Sequence, residues 1–272
     1  MSHELKIQQI CKNCNTDYEG IFCPACGQKL INKRYTIREG ASQVVGMVFN
    51  FDRGLWPTIY GLIAHPGKVL SEYLGGITVK YYHPFRFLFL MLTISVLLMA
   101  SLGINEYLQG EYATKISGHP IPEPMKEIIS LFNAYNHLLL ASSMPMLAFA
   151  SWLFYRGKGY NYAEHLIIVS YAFGVTVFLG LLTIPVYLFD KELYAWISSG
   201  SLLITLIFFT YIYLSLFKGG RVAVFFKSLG VYLIYAILFG ILTTSILGGY
   251  IAYKISTDEQ FKKRFTSEMK DE

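Results

Sequence analysis

The four cysteines of the chain lie in one short N-terminal stretch with the spacing Cys-x2-Cys-x8-Cys-x2-Cys, at Cys11, Cys14, Cys23 and Cys26. Each Cys-x2-Cys turn aims two thiolates at one ion, and two such turns supply the four ligands of a tetrahedral zinc site. Because thiolates fill all four positions, none is open to water, and we expect the ion to be structural. The spacing therefore predicts a small zinc ribbon over residues 1–33 whose folding depends on the metal.

The second turn of this ribbon carries two residues that suit its backbone. Pro24 restricts the turn between Cys23 and Cys26, and Gly27 can adopt the positive φ that lets backbone amides approach the sulfurs. We expect the folded ribbon either to contact a cytoplasmic protein partner or only to cap the rest of the molecule. The sequence leaves both possibilities open.

A second group of residues that could take part in chemistry lies at the start of two apolar segments. Glu164 and His165 begin one of them, and His83 and Arg86 begin another. Ionisable groups at a bilayer edge are costly, which favours a proton relay, an ion site or a headgroup contact. The alternative is an ion pair between Glu164 and Arg86 that only fixes the depth of the two helices.

No arrangement typical of catalysis accompanies these residues. The chain contains no recognisable catalytic triad, zincin helix, phosphate loop or dinucleotide fingerprint, so we predict no catalytic residue and favour a non-enzymatic role. The net charge of +5 is dispersed, with no long basic block, and we expect no nucleic-acid partner.

The composition indicates an integral membrane protein. Hydrophobic residues make up 54% and charged residues 15% of 272, and the mean hydropathy is +0.42. Helices of about 17 to 25 apolar residues cross a bilayer, and five segments qualify: 85–102, 138–154, 166–189, 201–217 and 229–253. We predict an all-α polytopic fold with about five transmembrane helices over residues 81–253. Pro145 and Pro185 should bend two of these helices without breaking them.

Residues 34–80 are apolar on one side without a segment long enough to span a bilayer. Thr36 to Glu39 fits a capping box, and Ile37, Ala41, Val44, Val45, Val48 and Phe49 share one helical face. Two further short helices follow, before and after Pro66. Because Asp52 and Arg53 would be costly in mid-bilayer, we predict amphipathic helices in the membrane interface. The alternative is that they pack on the transmembrane bundle.

The distribution of charge predicts the orientation. Basic residues flank one set of loops, at Lys80, Arg86, Arg156, Lys158, Lys218, Arg221 and Lys227; acidic residues occupy the other, at Glu106, Glu111, Glu123, Glu127, Asp190 and Glu192. The first set should face the cytoplasm, as should the N-terminus, since no signal peptide precedes the cysteines. Five spans would place the polar tail, residues 254–272, outside.

The chain resembles an uncharacterised bacterial membrane-protein family whose domain has no known function. The likeness covers most of the chain and rests on Cys11-x2-Cys14, Phe22-Cys23-x2-Cys26-Gly27-Gln28, Thr58 to the His65-Pro66-Gly67 turn, Tyr73 to Tyr82 with Pro84, and Asn161-Tyr162-Ala163-Glu164-His165. It implies a multi-pass protein of the bacterial inner membrane and supplies no activity. The layout is also similar, in architecture alone, to Yip1-type membrane proteins.

Two classes of function follow from these observations. The first is a non-enzymatic scaffold or adaptor in the lipid bilayer, whose zinc ribbon engages a cytoplasmic partner. The second is a small transporter or channel, in which Glu164, His165 and His83 couple ion or proton movement from the cytoplasmic side.

Overall fold

The N-terminal ribbon is built on a two-stranded sheet. The computed structural model describes residues 8–30, 34, 54–119 and 121–268, with the backbone alone at several positions of 133–141 and at 267–268. Strand β1 (Gln8–Ile10) pairs antiparallel with β2 (Asp17–Glu19). Tyr18 packs with Cys11 and Cys23 in a small separate core. So few apolar side chains cannot stabilise a domain of this size, and the sulfurs occupy the place of a hydrophobic core.

Two short helices follow, α1 (Leu55–Ala64) and α2 (Pro66–Leu74). Proline begins α2 because its fixed φ suits the first helical turn, where no donor is needed. Ile59 and Leu70 are buried in the main core, which supports packing on the bundle, whereas Trp56 and Tyr60 on the other face of α1 are exposed. The predicted capping box at Thr36 to Glu39 and the apolar face up to Phe49 lie outside the described residues.

The remaining helices form the bundle. They are α3 (Pro84–Ser101), α4 (Ile104–Glu106), a π-helical turn (Tyr107–Tyr112), α5 (Ala113–Ser117), α6 (Glu123–Tyr155), a 3-10 turn (Arg156–Lys158), α7 (Tyr162–Leu181), α8 (Ile184–Phe189), α9 (Lys191–Ser199), α10 (Ser201–Leu216), α11 (Arg221–Thr257) and α12 (Glu259–Glu268). The central helix is α7, which packs against α3, α6 and α10.

Within the described residues, three stretches are long and apolar enough to cross a membrane: Pro84–Ser101, Tyr162–Phe189 and Arg221–Thr257. A fourth is added if α9 and α10, which meet at an angle of 47°, count as one span. The segment predicted at 138–154 lies inside α6, where part of the chain is described by its backbone alone. The structure thus supports three or four spans and does not confirm five.

The two prolines behave differently. Pro145 lies inside α6, and the helix continues through it. Pro185 lies in the first turn of α8, just after α7 ends at Leu181. Regular helix is interrupted at residues 182–183, but within the described residues Tyr162–Phe189 is one candidate span and is not bent by more than 40°. This agrees with the predicted bend, which arises because proline has no amide to continue the hydrogen-bond ladder.

The C-terminal segment lies at the same end of the bundle as the start of α6. The Nζ of Lys254 lies 2.5 Å from Oε1 of Glu127, and the hydroxyl of Tyr250 donates to the same oxygen over 3.1 Å. Glu127 belongs to the acidic set of loops. The structure therefore places residues 254–268 on the side predicted for the tail relative to the other loops.

A close helix contact tests this packing. A Cβ at Gly67 would collide with the backbone carbonyl of Ser215 in α10, and a backbone group cannot move as a side-chain tip can. We expect Gly67→Ala to lower the free energy of unfolding by about 1 to 3 kcal/mol. The measurement is the thermal unfolding midpoint in detergent.

The matched control is Gly248→Ala, because a Cβ there meets nothing within 4 Å. Alanine favours a helix over glycine by about 1 kcal/mol, so this variant should be as stable as the wild type or more so. Equal stability of both variants would show that α2 and α10 do not approach this closely.

Candidate metal centre and membrane-edge cluster

The first cysteine turn is closed by backbone hydrogen bonds. The amide of Asn15 donates to the carbonyl of Cys11 over 2.9 Å, and the amide of Cys11 donates to the carbonyl of Thr16 over 2.9 Å. Asn15 has a φ of 58°, a left-handed conformation that asparagine tolerates better than most residues. The amide of Asn13 points at the Sγ of Cys11 from 3.4 Å, as expected around a thiolate ligand.

The second turn repeats the same pattern. The amide of Gly27 donates to the carbonyl of Cys23 over 2.8 Å, and the amide of Cys23 donates to the carbonyl of Gln28 over 2.9 Å. Gly27 has a φ of 72°, in agreement with the positive φ predicted for it. The two turns are therefore equivalent in their backbone, and each presents a pair of sulfurs to the same point.

The four sulfurs fit one metal ion. The Sγ atoms of Cys11, Cys14, Cys23 and Cys26 all lie within 4.8 Å of one another, with Cys11 3.5 Å from Cys26 and Cys14 3.6 Å from Cys23. Tetrahedral Zn–S bonds of about 2.3 Å place the sulfurs roughly 3.8 Å apart. Cys11 and Cys23 are buried, so their thiolates need a cation. The donor set therefore forms a possible metal site.

The ribbon is attached to the bundle by the side chain of Gln28, which is only 3% exposed. Its Nε2 donates to the carbonyl of Gly76 over 2.8 Å and to the hydroxyl of Thr78 over 3.2 Å. Its Oε1 accepts from the amides of Thr78, at 3.1 Å, and Val79, at 3.2 Å. This one buried side-chain amide thus binds both backbone donors and acceptors of residues 75–79, the first part of the connection between α2 and α3, here called the 75–79 loop.

A residue of the first turn reaches the same loop. The Nζ of Lys12 donates to the carbonyl of Gly75 over 3.1 Å. Lys12 follows Cys11, and Gln28 comes two residues after Cys26. Both cysteine turns therefore hold the 75–79 loop through a residue next to their own metal ligands.

The 75–79 loop is in turn tied to the helices. Lys80 Nζ lies 2.9 Å from Oε2 of Glu72, and the hydroxyl of Tyr81 donates to the same oxygen over 2.5 Å. The hydrogen bonds from Lys80 and then Tyr81 hold the pKa of Glu72 below its ordinary value. The amide of Tyr82 donates to the hydroxyl of Thr58 over 2.7 Å, so α1 is fastened to the entry of α3.

The polar residues predicted at the membrane edge have separate partners. Glu164 completes a capping box with Asn161, accepting from its amide over 2.7 Å while the Asn161 side chain accepts from the amide of Glu164 over 2.8 Å. Arg34 binds both carboxylate oxygens, with Nε 3.1 Å from Oε1 and Nη2 2.7 Å from Oε2. The guanidinium that binds Glu164 is therefore that of Arg34, and the alternative pair between Glu164 and Arg86 is not observed.

His165 faces the interior. Its Nδ1 lies 2.8 Å from the hydroxyl of Ser151, and its ring stacks on Phe217 at 5.9 Å with 20° between the planes. Within the described part of the chain, Nε2 of His165 and the buried hydroxyl of Tyr213 have no hydrogen-bond partner. Both are buried polar atoms within the aromatic core.

His83 precedes the first residue of α3. It caps α3, and its ring contacts Phe85 at 5.8 Å. Burial, and then the positive charge of Arg86, lower the pKa of His83, so its imidazole is neutral near pH 7. Among the described residues, Glu164 binds Arg34 and Asn161, His165 contacts Ser151 and Phe217, and His83 contacts Phe85.

Residues 52–96 match a family described as "Protein of unknown function (DUF3667)". The match supports the predicted resemblance to an uncharacterised family. It spans α1, α2, the 75–79 loop and most of α3, which is the part of the bundle that the ribbon contacts. No curated protein and no solved structure matches the chain, and no match supports the likeness to Yip1-type proteins.

Sequence reasoning missed the partners that connect the two parts of the molecule. In the sequence, Gln28 stands only at the end of a cysteine motif, and nothing marks Arg34 among the dispersed basic residues. Arg34 contacts a residue 130 positions away, and no local sequence pattern predicts such a pair. Gln28 did carry a signal, because a long uncharged polar side chain directly follows the second cysteine turn.

The assignment of Arg34 to Glu164 can be tested with two double-mutant cycles. We expect the effects of Arg34→Ala and Glu164→Ala on stability to be non-additive, with a small coupling because Arg34 is itself largely exposed. Arg86→Ala and Glu164→Ala should be additive. The free energy of unfolding of each variant in detergent gives both values, and coupling confined to the Arg86 cycle would contradict the observed pairing.

The interactions of Glu72 predict a pH dependence. Because its folded pKa is lowered, its contribution to stability is complete above the unfolded value of about 4.3 and is lost as the pH falls through the lower folded pKa. We expect Glu72→Gln to be less stable than the wild type at pH 7 by about 1 kcal/mol. The difference should shrink below about pH 4.

The control for this prediction is Glu123→Gln, which removes an exposed pair with Lys126 at 2.7 Å. Surface pairs contribute between about 0 and 1 kcal/mol, so this variant should follow the wild type at both pH values. A Glu72→Gln difference that does not depend on pH would show that the charge of Glu72 is not what stabilises the loop.

Proposed function

We propose that the protein is a non-enzymatic scaffold or adaptor of the bacterial inner membrane, with a structural zinc ribbon held on the cytoplasmic side of a multi-pass bundle. The observation that carries this proposal is the Gln28 side chain, which binds residues 76–79 through both its donor and its acceptor. A module tethered only by its chain would change position freely. A ribbon held by a buried amide presents its surface in a fixed place.

Zinc is the metal that suits the site. A closed set of four thiolates favours zinc or an iron–sulfur cluster, and paired Cys-x2-Cys turns are typical of zinc ribbons. Thiolates persist in the reducing cytoplasm, where disulfides are rare. The ion supplies folding energy to the ribbon and no catalysis.

The cytoplasmic orientation rests on the basic loops. The Nζ of Lys158 donates to the carbonyl of Lys218 over 2.8 Å, which brings two of the predicted cytoplasmic loops together. Arg34, next to the ribbon, also contacts the carbonyl of Gly159. The ribbon therefore shares one end of the bundle with the lysine- and arginine-rich loops, as the positive-inside rule expects for a cytoplasmic face.

A protein partner suits the exposed surface of the ribbon better than the membrane does. Ile10, Ile21 and Phe22 are 67%, 63% and 59% exposed, which favours an apolar contact. The exposed strand β2 also carries the acids Asp17 and Glu19, which the negative cytoplasmic leaflet would repel. We therefore propose that an apolar segment of a cytoplasmic protein binds here.

The first test separates metal binding from docking. We expect one zinc ion per chain in the purified protein, about one in Gln28→Ala, and none in Cys23→Ser. Gln28→Ala should release the 75–79 loop, so limited proteolysis at that loop should become faster in both variants. Metal content comes from elemental analysis. Unchanged proteolysis in Gln28→Ala would contradict a fixed ribbon.

The second test concerns the partner. A photo-crosslinking residue at Phe22 should give one discrete protein adduct in cells, and Gln28→Ala should reduce that adduct. The control position is Phe189, which is 90% exposed at the opposite end of the bundle. Crosslinking of Phe22 to lipid instead of protein would overturn the adaptor proposal.

A transporter or channel is the second candidate, favoured by the buried Nε2 of His165 and hydroxyl of Tyr213. Against it, both oxygens of Glu164 are engaged in a capping box and an ion pair. This candidate requires pH-dependent ion flux in liposomes that Glu164→Gln abolishes. The adaptor proposal expects no such flux.

A further inference from the structure

A cavity of about 270 Å³ lies between α3, α7, α9 and α10, at the end of these helices away from the ribbon. Its walls include Thr176 and Gly180 of α7, Ser198 of α9 and Ser201 of α10. The volume is close to the roughly 300 Å³ at which small-molecule sites begin. The proposed adaptor function does not use this space.

Two helix discontinuities create the cavity. The chain leaves α7 at Leu181 and resumes helix at Ile184, and α9 meets α10 at 47° on the other side of the space. Thr183, in the first break, and Ser201, next to the second, both line it. Paired discontinuous helices of this kind are a recurrent way to form a binding site within a membrane.

The chemistry of the walls selects an apolar occupant. Among the described residues that line the cavity, none has an acidic, basic or histidine side chain. The hydroxyl of Thr176 donates to the carbonyl of Phe173 over 2.8 Å, and that of Thr183 donates to the carbonyl of Gly180 over 2.7 Å. Because these two hydroxyls already donate to nearby backbone carbonyls, a hydrated or charged ligand would find few hydrogen-bond partners.

The cavity opens sideways and not along the bundle axis. Gly180 and Ser201 are exposed, and Ile204 on the same wall is 46% exposed. A Cβ at Gly180 would meet no atom within 4 Å. Gly180 belongs to a helix long enough to cross a membrane, and Ser201 and Ile204 belong to the bent pair of α9 and α10 that counts as a fourth candidate span. We therefore expect lipid to reach the opening.

A cation lies one helical turn from the cavity. Lys191 begins α9, and Tyr194, one turn later, lines the cavity. The Nζ of Lys191 lies 5.4 Å from the ring centroids of both Tyr107 and Tyr187. The neighbouring acid, Glu192, is paired with Lys115 at 2.5 Å, which leaves the positive charge of Lys191 available to an anion.

We propose that this cavity holds one acyl chain of a membrane phospholipid whose phosphate lies at Lys191. The uncharged walls receive the chain, the sideways opening admits it from the bilayer, and the lysine at the outer end of α9 meets the headgroup. The bound lipid fills the space between the two broken helices and braces them against each other.

The test uses protein reconstituted in vesicles that contain a phospholipid with a photoreactive diazirine in one acyl chain. After illumination, peptide mass spectrometry should locate adducts on the peptides that carry Thr176 to Gly180 and Ser201 to Thr205. Gly180→Leu should reduce these adducts at least tenfold by filling the opening. Gly240→Leu is the control, because a Cβ there also meets nothing within 4 Å and Gly240 is not among the residues that line the cavity.

Two further variants test the site and the headgroup assignment separately. Ser201→Leu repeats the blockage from the other wall, in case Gly180→Leu does not fold. Lys191→Gln should reduce phospholipid adducts several-fold without affecting adducts of a diazirine alkane. Undiminished adducts in both blocking variants would overturn the site. Equal labelling of Lys191→Gln by the phospholipid would overturn the assignment of the headgroup.

Discussion

Polar groups beside a membrane must be satisfied within the protein, and this constraint organises the ribbon end of the molecule. The 75–79 loop presents carbonyls and amides to the ribbon, and the buried Gln28 side chain meets them with matched donors and acceptors. The hydroxyl of Thr58 accepts a hydrogen bond from the amide of Tyr82. The hydroxyl of Tyr171 donates one to the carbonyl of Tyr82. Each bond joins segments far apart in the chain, so satisfying the backbone also assembles the fold.

The same constraint explains why the carboxylate of Glu164 is compatible with its buried position. Its oxygens receive an amide at the start of α7 and a guanidinium from the segment that follows the ribbon. A buried carboxylate that lacked either its hydrogen bond or its ion pair would destabilise the bundle. Arg34 therefore joins the ribbon end of the chain to the central helix in a second place, independent of Gln28.

The sequence predicted what is local and missed what is distant. Cysteine spacing predicted which four sulfurs converge, because a possible metal site of this kind is built from short turns, and Gly27 has the positive φ that such a turn requires. Apolar length located α3 within one residue at each end, whereas α11 begins eight residues before and ends four residues after the predicted segment 229–253. Apolar length could not reveal the choice of Arg34 over Arg86, since both are basic residues near the same membrane edge.

The unequal lengths of the helices have a consequence for the bilayer around them. At about 1.5 Å per residue, the 18 residues of α3 cover roughly 27 Å, whereas the 37 residues of α11 cover roughly 55 Å. A hydrocarbon layer of about 30 Å is slightly too thick for α3, so lipids would thin beside it. Helix α11 carries Arg221 and Lys227 near its start and Lys254 near its end, so its two ends project from the hydrocarbon. The bilayer is therefore thinned on the α3 side of the bundle and not on the α11 side.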